Sequence, residues 1–374
     1  MKPSNPFLIS AYYSPKYFCD RVDETESLLE ACKSKRNVTL TSLRRMGKTG
    51  LIHHVFYKVR SEKSVSVHYL DIMPTVDLNG FIQALGAILT KELSVGKGSF
   101  IEKVGGIFKS VRPVIKYDGL SGQPLLSFDF RSEEEMNHTL DEIFNVLGNQ
   151  KMNLLIALDE FQQIVNYPEK NVEALLRSKI QSINNATWIF SGSHKHLLSS
   201  IFGQHNRPFY QSTDMLHLAP ISPDKYKRFI YRHFQMAGKI LDNNLLDKIL
   251  SLSRNHTFYV QYLCNRLFSF SPGRITIKTI DSLWLEILRE REFIFYNYRN
   301  LLTRNQYSLL VAIALEENLT QPLAGNFIAK HGLKSPSSVK SALDVLMNKE
   351  LVVRETDCYI IQDVFLSAWL KQLP

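Results

Sequence analysis

The sequence predicts an α/β domain with a parallel sheet, followed by an all-helical segment and then a compact unit of three helices and a β-hairpin. Three observations predict this. Between residues 37 and 218, strand-like apolar runs alternate with stretches of helical period. The run Asn153-Leu154-Leu155-Ile156-Ala157-Leu158 is apolar at every place after its Asn, as in a strand covered on both faces by helices. Beyond Pro223 the strand pattern stops, and it returns only in two short runs near the C-terminus.

Taken in order, Leu28, Leu29 and Cys32 recur at helical spacing before the polar run Lys33-Ser34-Lys35-Arg36. Residues 38–43 read as a first strand, and a helix runs from the basic turn that follows to about Lys58. Residues 64–71 alternate at their start and predict a second strand; a helix with Phe81, Leu85, Ile88 and Leu89 follows. In residues 94–131 two strand-like runs flank the turn-rich Asp118-Gly119-Leu120-Ser121-Gly122-Gln123-Pro124, which predicts a hairpin inserted in the domain. A helix over 133–147, the apolar strand ending in Asp159-Glu160, a helix over 172–183, a strand over 187–193 and a short fifth strand over 215–218 complete the layered domain. Helices are predicted next over 224–237, 243–253, 256–268 and 277–295. Helices over 305–316, 323–331 and 335–350, a hairpin around Val352 and Tyr359, and a last helix over 364–373 make a winged helix-turn-helix. Ser335 is placed to cap the third of these helices. The predicted domains are 1–220, with its insertion at about 94–131, then 221–300 and 301–374.

A chain of 374 residues suits two or three domains of this size. Its 44% hydrophobic and 22% charged residues are those of a globular protein and exclude a disordered one. No run of eighteen apolar residues is present, which predicts no membrane contact, and the N-terminal Met1-Lys2-Pro3-Ser4-Asn5-Pro6 lacks an apolar leader core. Four widely spaced cysteines argue against a zinc site or a disulfide framework and fit a reducing cytoplasm. The net charge of +9 is uneven: residues 221–300 carry 13 Lys and Arg against 7 Asp and Glu, whereas 301–374 carry 7 against 7. The helical segment, through Lys225, Lys227, Arg228, Arg232, Arg289, Arg291 and Arg299, is therefore the better electrostatic candidate for DNA or an acidic partner protein. The neutral winged helix has no Arg on its third helix, and it suits protein contact or intramolecular packing at least as well as base reading.

The chemistry centres on Ser42-Leu43-Arg44-Arg45-Met46-Gly47-Lys48-Thr49-Gly50, a basic turn between a strand and a helix. The first N–H groups of a helix lack internal partners, and its dipole adds positive charge there, so such a turn cradles phosphate. Ser42, Arg44, Arg45, Met46, Gly47, Lys48, Thr49 and Gly50 form the candidate nucleotide loop. Lys48 can reach the β- and γ-phosphates and the Thr49 hydroxyl can ligate Mg²⁺. Ser42 stands where the motif G-x-x-x-x-G-K-[ST] has its first Gly, which predicts a conformationally tighter loop at that position. Asp159 and Glu160, at the carboxyl end of the apolar strand, lie where α/β sheets bind ligands; Asp159 can hold the metal and Glu160 polarise a water. Ser191 and Ser193 at the end of the next strand can set a hydroxyl between that acid pair and the γ-phosphate, or simply form a turn. Arg207 can reach a neighbouring subunit's phosphate as an arginine finger, which would require a homo-oligomer; a solvated surface role is its other reading.

Asn5-Pro6-Phe7, Phe18-x-x-Arg21-x-x-Glu24, Arg44-Arg45-x-Gly47-Lys48-Thr49, Asp159-Glu160-Phe161 and Phe190-Ser191-Gly192-Ser193 occur in this order. This set resembles the archaeal-type ATPase family, a branch of the AAA-like and STAND P-loop NTPases, over essentially the whole chain. The resemblance implies a helical lid after the core, ATP or ADP as ligand with Mg²⁺, Arg21 and Glu24 near the adenine, Glu160 on the water, and Ser191 or Ser193 as sensor. It also implies that His256, in Asn255-His256-Thr257, faces the nucleotide, although the Gly and Pro of the family's lid element are missing there. Gln211-Ser212 stands where members often have Gly-Arg, so Arg207 would have to substitute. The expected function is a Mg-dependent ATPase working as a switch or motor on DNA or a partner protein; the alternative is a nucleotide-gated regulatory module with little or no hydrolysis. The departures bear on the rate of hydrolysis more than on ATP binding.

Overall fold

The computed structural model describes residues 3–60, 64–93, 100–108, 111, 113–117, 124–270, 273–316, 318–355 and 357–373. The chain divides into two compact units, Ser10–Ile221 and Met1–Ile9 with Ser222–Pro374.

The first unit runs α1 (Val22–Lys33), β1 (Val38–Thr41), α2 (Lys48–Val59), β2 (Val65–Asp71), α3 (Leu78–Leu93), α4 (Phe100–Ile107), β3 (Val114–Tyr117), β4 (Pro124–Ser127), α5 (Glu133–Gly148), β5 (Asn153–Asp159), α6 (Val172–Ser182), β6 (Ala186–Gly192), α7 (Lys195–Gly203) and β7 (Asp214–His217). Five strands form one parallel sheet in the order β2-β5-β6-β1-β7. Side chains alternate between the faces of a strand, and here both faces are buried. Leu154, Ile156 and Leu158 of β5, with Trp188 and Phe190 of β6, enter the core formed with α3, α5, α6 and α7. Leu155, Ala157 and Ile189 enter a second core with α1 and α2. The unbroken apolar run in β5 is thus two interleaved apolar faces.

β3 and β4 pair antiparallel, Val114 opposite Ser127; the expected turn at 118–123 lies outside the described residues. β4 lies so close to α3 that a Cβ on Gly86 would stand 3.0 Å from the Leu126 carbonyl, and the Thr90 hydroxyl accepts from the Leu126 N–H at 3.2 Å.

The second unit contains α8 (Pro223–Met236), α9 (Asn243–Leu252), α10 (Thr257–Phe270), α11 (Ile277–Tyr296), α12 (Tyr298–Leu301), α13 (Arg304–Glu316), α14 (Gly325–Lys330), α15 (Pro336–Asn348), β8 (Val352–Glu355), β9 (Cys358–Ile361) and α16 (Val364–Leu370). Ser335 caps α15 by accepting the Ser338 N–H. The segments 221–300 and 301–374 both fall in this compact unit. The reason is α16: Phe365 packs against Tyr259, Tyr262 and Trp284, and Trp369 against Phe295 and Tyr296.

Residues 1–9, which the sequence reading placed in the α/β part, also belong here. Phe7 is fully buried among Phe229, His233, Phe234 and Phe268. Asn5 donates to the Asn265 carbonyl at 2.9 Å, and Asn265 donates back to the Phe7 carbonyl at 2.7 Å. Three residues without periodicity gave no sign of this packing. No helix among the described residues is long and apolar enough to cross a membrane.

Candidate functional site

The strand order sets the carboxyl ends of β5, β6 and β1 side by side. Pairing of Leu158 with Phe190, and of Gly192 with Thr41, brings Asp159, Ser191 and Ser42 to one edge of the sheet. That edge is where ligands bind in open α/β sheets.

Between β1 and α2 the chain makes the expected turn, and Gly47 is the N-cap of α2 with φ 95°. The left-handed residues of the turn are Arg45, at φ 65°, and Gly47. Ser42 is not among them, so the place where the motif has its first Gly needs no glycine here. The sequence expectation of a conformational restriction at Ser42 is corrected on that ground. The buried Ser42 hydroxyl donates to the Leu43 carbonyl at 2.7 Å and accepts from Lys48 Nζ at 3.2 Å. Met46 is buried in the α1–α2 core, whereas Arg44, Arg45 and Thr49 are exposed. A Cβ at Gly50 would meet Phe18 Cε2 at 3.6 Å, an ordinary contact.

Asp159 is buried and gathers four donors. Thr49 Oγ1 donates to Oδ2 at 2.9 Å and the Tyr69 hydroxyl to the same oxygen at 2.5 Å; Ser191 Oγ at 2.5 Å and the Glu160 N–H at 3.1 Å donate to Oδ1. Burial, then the Asp159 charge, pushes the Tyr69 phenol well above its ordinary value, so it stays a donor. Asp71 faces Asp159 across the β2–β5 pair; burial, then the charges of Asp159 and Glu160 against an opposing Met73 N–H bond, raises its carboxyl. Thr49 and Asp159 are hard oxygen donors held together at the end of the Ser42–Thr49 turn, and such a small set fits Mg²⁺, which takes its other ligands from water and substrate phosphates.

Glu160 follows β5 with φ 55° and turns the chain into a 3₁₀ turn, Phe161–Asn166. Its Oε2 accepts from Gln162 Nε2 at 2.6 Å, the Ser193 N–H at 3.2 Å and the Ser193 hydroxyl at 3.1 Å. The two serines therefore divide the acid pair, Ser191 on Asp159 and Ser193 on Glu160. Tyr69 and Gln162 went unnoticed in the sequence, because strand register and a side-chain approach, rather than spacing, bring them here.

Arg21 and Glu24 are joined at 2.9 Å, and the buried Arg21 guanidinium also donates to the carbonyls of Ala219 at 2.6 Å and Met46 at 3.4 Å. Arg21 braces the loop's backbone instead of standing open to a base. Phe18 stacks on His54 of α2 with ring centroids 4.4 Å apart, and the Tyr12 hydroxyl meets His54 Nδ1 at 2.9 Å. Burial, then Lys58, lowers the His54 pKa to about 4. The unfolded chain, near 6.5, takes up this proton first, so stability falls as pH drops through the window between these values. The Tm difference between pH 7 and pH 5 is expected to be smaller in His54→Gln than in the wild type by calorimetry; an equal difference would refute the assignment.

Arg207, the expected arginine finger, is instead ion-paired with Glu173 of α6 at 2.5 Å, three-quarters buried in its own unit. That is a fold-holding contact, and it takes Arg207 out of the set of groups open to a neighbour. His256 lies just before α10 in the second unit, buried, with its ring 5.0 Å from Tyr259. The preceding Arg254 and Asn255 both take left-handed φ, 49° and 52°.

Residues 293–372 match a family described as "Probable winged helix domain". No curated protein matches the chain. Among solved structures, a Walker-type ATPase of Pyrococcus abyssi, PABY2304, is 19% identical over 98% of this chain and 99% of that one, with a TM-score of 0.65. The ORC2 protein of Aeropyrum pernix, solved as ADPNP-ADP complexes, is 14% identical over 98% and 95%, at 0.59. The ORC1 protein of the same organism, solved in complex with DNA, is 13% identical over 99% and 96%, at 0.54. The chain shares the fold of this Walker-type ATPase and of the two ORC proteins, with a winged helix at its C-terminal end.

Proposed function

We propose that this chain binds ATP and Mg²⁺ at the Ser42–Thr49 loop and hydrolyses ATP as a switch or motor acting on DNA. The observation that carries the ATPase reading is the meeting of Thr49 with Asp159 at 2.9 Å, beside Lys48 and with Glu160 next in the chain. Lys48 and the first N–H groups of α2 would hold the phosphates, and Thr49 and Asp159 would hold the ion. Bound there, Mg²⁺ supplies charge neutralisation on the phosphate oxygens. Glu160 is the base that orients the attacking water. Arg21 holds the loop in shape, and Ser191 and Ser193 hold the two carboxylates.

The partner reading rests on the excess of Lys and Arg in residues 221–300 and on where α8 exposes them. Asp242, Asp247, Asp281, Glu286 and Glu290 are taken up by Arg274, Lys227, Lys248 and Arg266. Arg291 lies over Tyr262 and Phe365, and Arg299 over Tyr307. Lys225, Arg228 and Arg232 stand exposed along one face of α8, opposite buried Tyr226, Phe229 and His233. A row of cations on one helix face fits a phosphate backbone, and the DNA-bound ORC1 protein shares the fold.

ATP turnover measured with and without duplex DNA tests both halves. Turnover above background supports the ATPase, and stimulation by DNA supports the partner. Charge reversal of Lys225, Arg228 and Arg232 to Glu is expected to lower the slope of log affinity against log salt by about 3 in an anisotropy titration. No binding of duplex DNA at low salt would overturn the nucleic-acid reading.

A further inference from the structure

Glu160 is held by a clamp that its role as base does not by itself explain. Three donors, Gln162 Nε2 and the Ser193 N–H and hydroxyl, converge on Oε2 alone. Among the described residues none donates to Oε1. A carboxylate held this way has one oxygen fixed and the other open, so its orientation is set before any substrate arrives.

Gln162 is the unusual member. It is 4% exposed, and while its Nε2 serves Glu160, its Oε1 is buried with no hydrogen-bond partner. An amide acceptor left unpaired in the interior is costly. The opposite amide orientation would set Oε1 against the carboxylate, so the Glu160 contact dictates the one found. The side chain also needs the glycine between the two serines: a Cβ on Gly192 would fall 1.9 Å from Gln162 Oε1. Ser191-Gly192-Ser193 therefore reads as one device, with Ser191 for Asp159, Ser193 for Glu160, and Gly192 as the gap through which the Gln162 amide reaches Glu160.

We infer that Gln162 is a positioning residue for ATP hydrolysis, fixing Glu160 so that Oε1 faces the attacking water; this rests on the proposed ATPase function. The test has two arms. In the nucleotide-free protein, Gln162→Leu, Glu160→Ala and their double variant are compared by thermal unfolding. The Tm losses are expected to be non-additive, the double variant losing no more than the larger single loss; additive losses would overturn the clamp. In turnover assays, Gln162→Leu is expected to lower kcat by about 10- to 100-fold while KM for ATP stays within about twofold. An unchanged kcat, or a loss confined to KM, would overturn the positioning role. A wild type that does not turn over ATP would refute the ATPase reading and with it the role of Gln162 in hydrolysis, while the unfolding arm still decides whether the clamp exists.

Discussion

Replacing Lys48 by Ala is expected to weaken ATP binding by about 10³-fold. Lys48 is buried, 6% exposed, at the first position of α2 with its ammonium 3.2 Å from Ser42 Oγ. A unit charge about 4 Å from a phosphate charge contributes roughly 4 kcal/mol at an effective dielectric of about 20. Each 1.4 kcal/mol is about tenfold in affinity, which gives the expected factor. Neighbouring cations do not replace it, because Arg44 and Arg45 stand on the exposed side of the turn and Arg21 is occupied by Glu24 and two backbone carbonyls. Titration with a fluorescent ATP analogue measures the loss directly, and the ATP-induced rise in Tm should disappear with it. An affinity within about tenfold of the wild type would mean that phosphate binds elsewhere.

The parts of this site that were legible in the sequence are those fixed by local patterning. A β-branched run, a basic turn with Gly-Lys-Thr and an amphipathic helix are contiguous, so β1, the loop and α2 can be read together. Asp159-Glu160 stands out because it ends the most apolar strand, and that strand is apolar because both sheet faces are covered. Long-range geometry was not legible. Tyr69 reaches Asp159 only because β2 and β5 pair in the register that sets Asp71 opposite Asp159. Gln162 matters because of a bare glycine on another strand. The absent glycine at Ser42 looked like a restriction, yet the left-handed positions of the turn are Arg45 and Gly47. Arg207 looked available because its partner Glu173 lies 34 residues earlier on α6.

Glu160→Gln is expected to keep ATP affinity and to lower kcat by about 10²- to 10⁴-fold, the usual contribution of a general base. The clamp makes this substitution unusually clean. An amide oxygen placed at Oε2 can still accept from Gln162 and from both groups of Ser193. That choice puts the amide nitrogen where Oε1 was, and an amide nitrogen cannot take a proton from water. Shape and hydrogen bonding persist, and only the basic oxygen is lost. Nucleotide affinity from the fluorescent titration and phosphate release on the same samples separate the two effects. The same pair of measurements decides between the functional readings. If the wild type releases phosphate no faster than Glu160→Gln while both bind ATP, Glu160 does no chemistry, and the chain is a nucleotide-gated module whose γ-phosphate acts through binding alone.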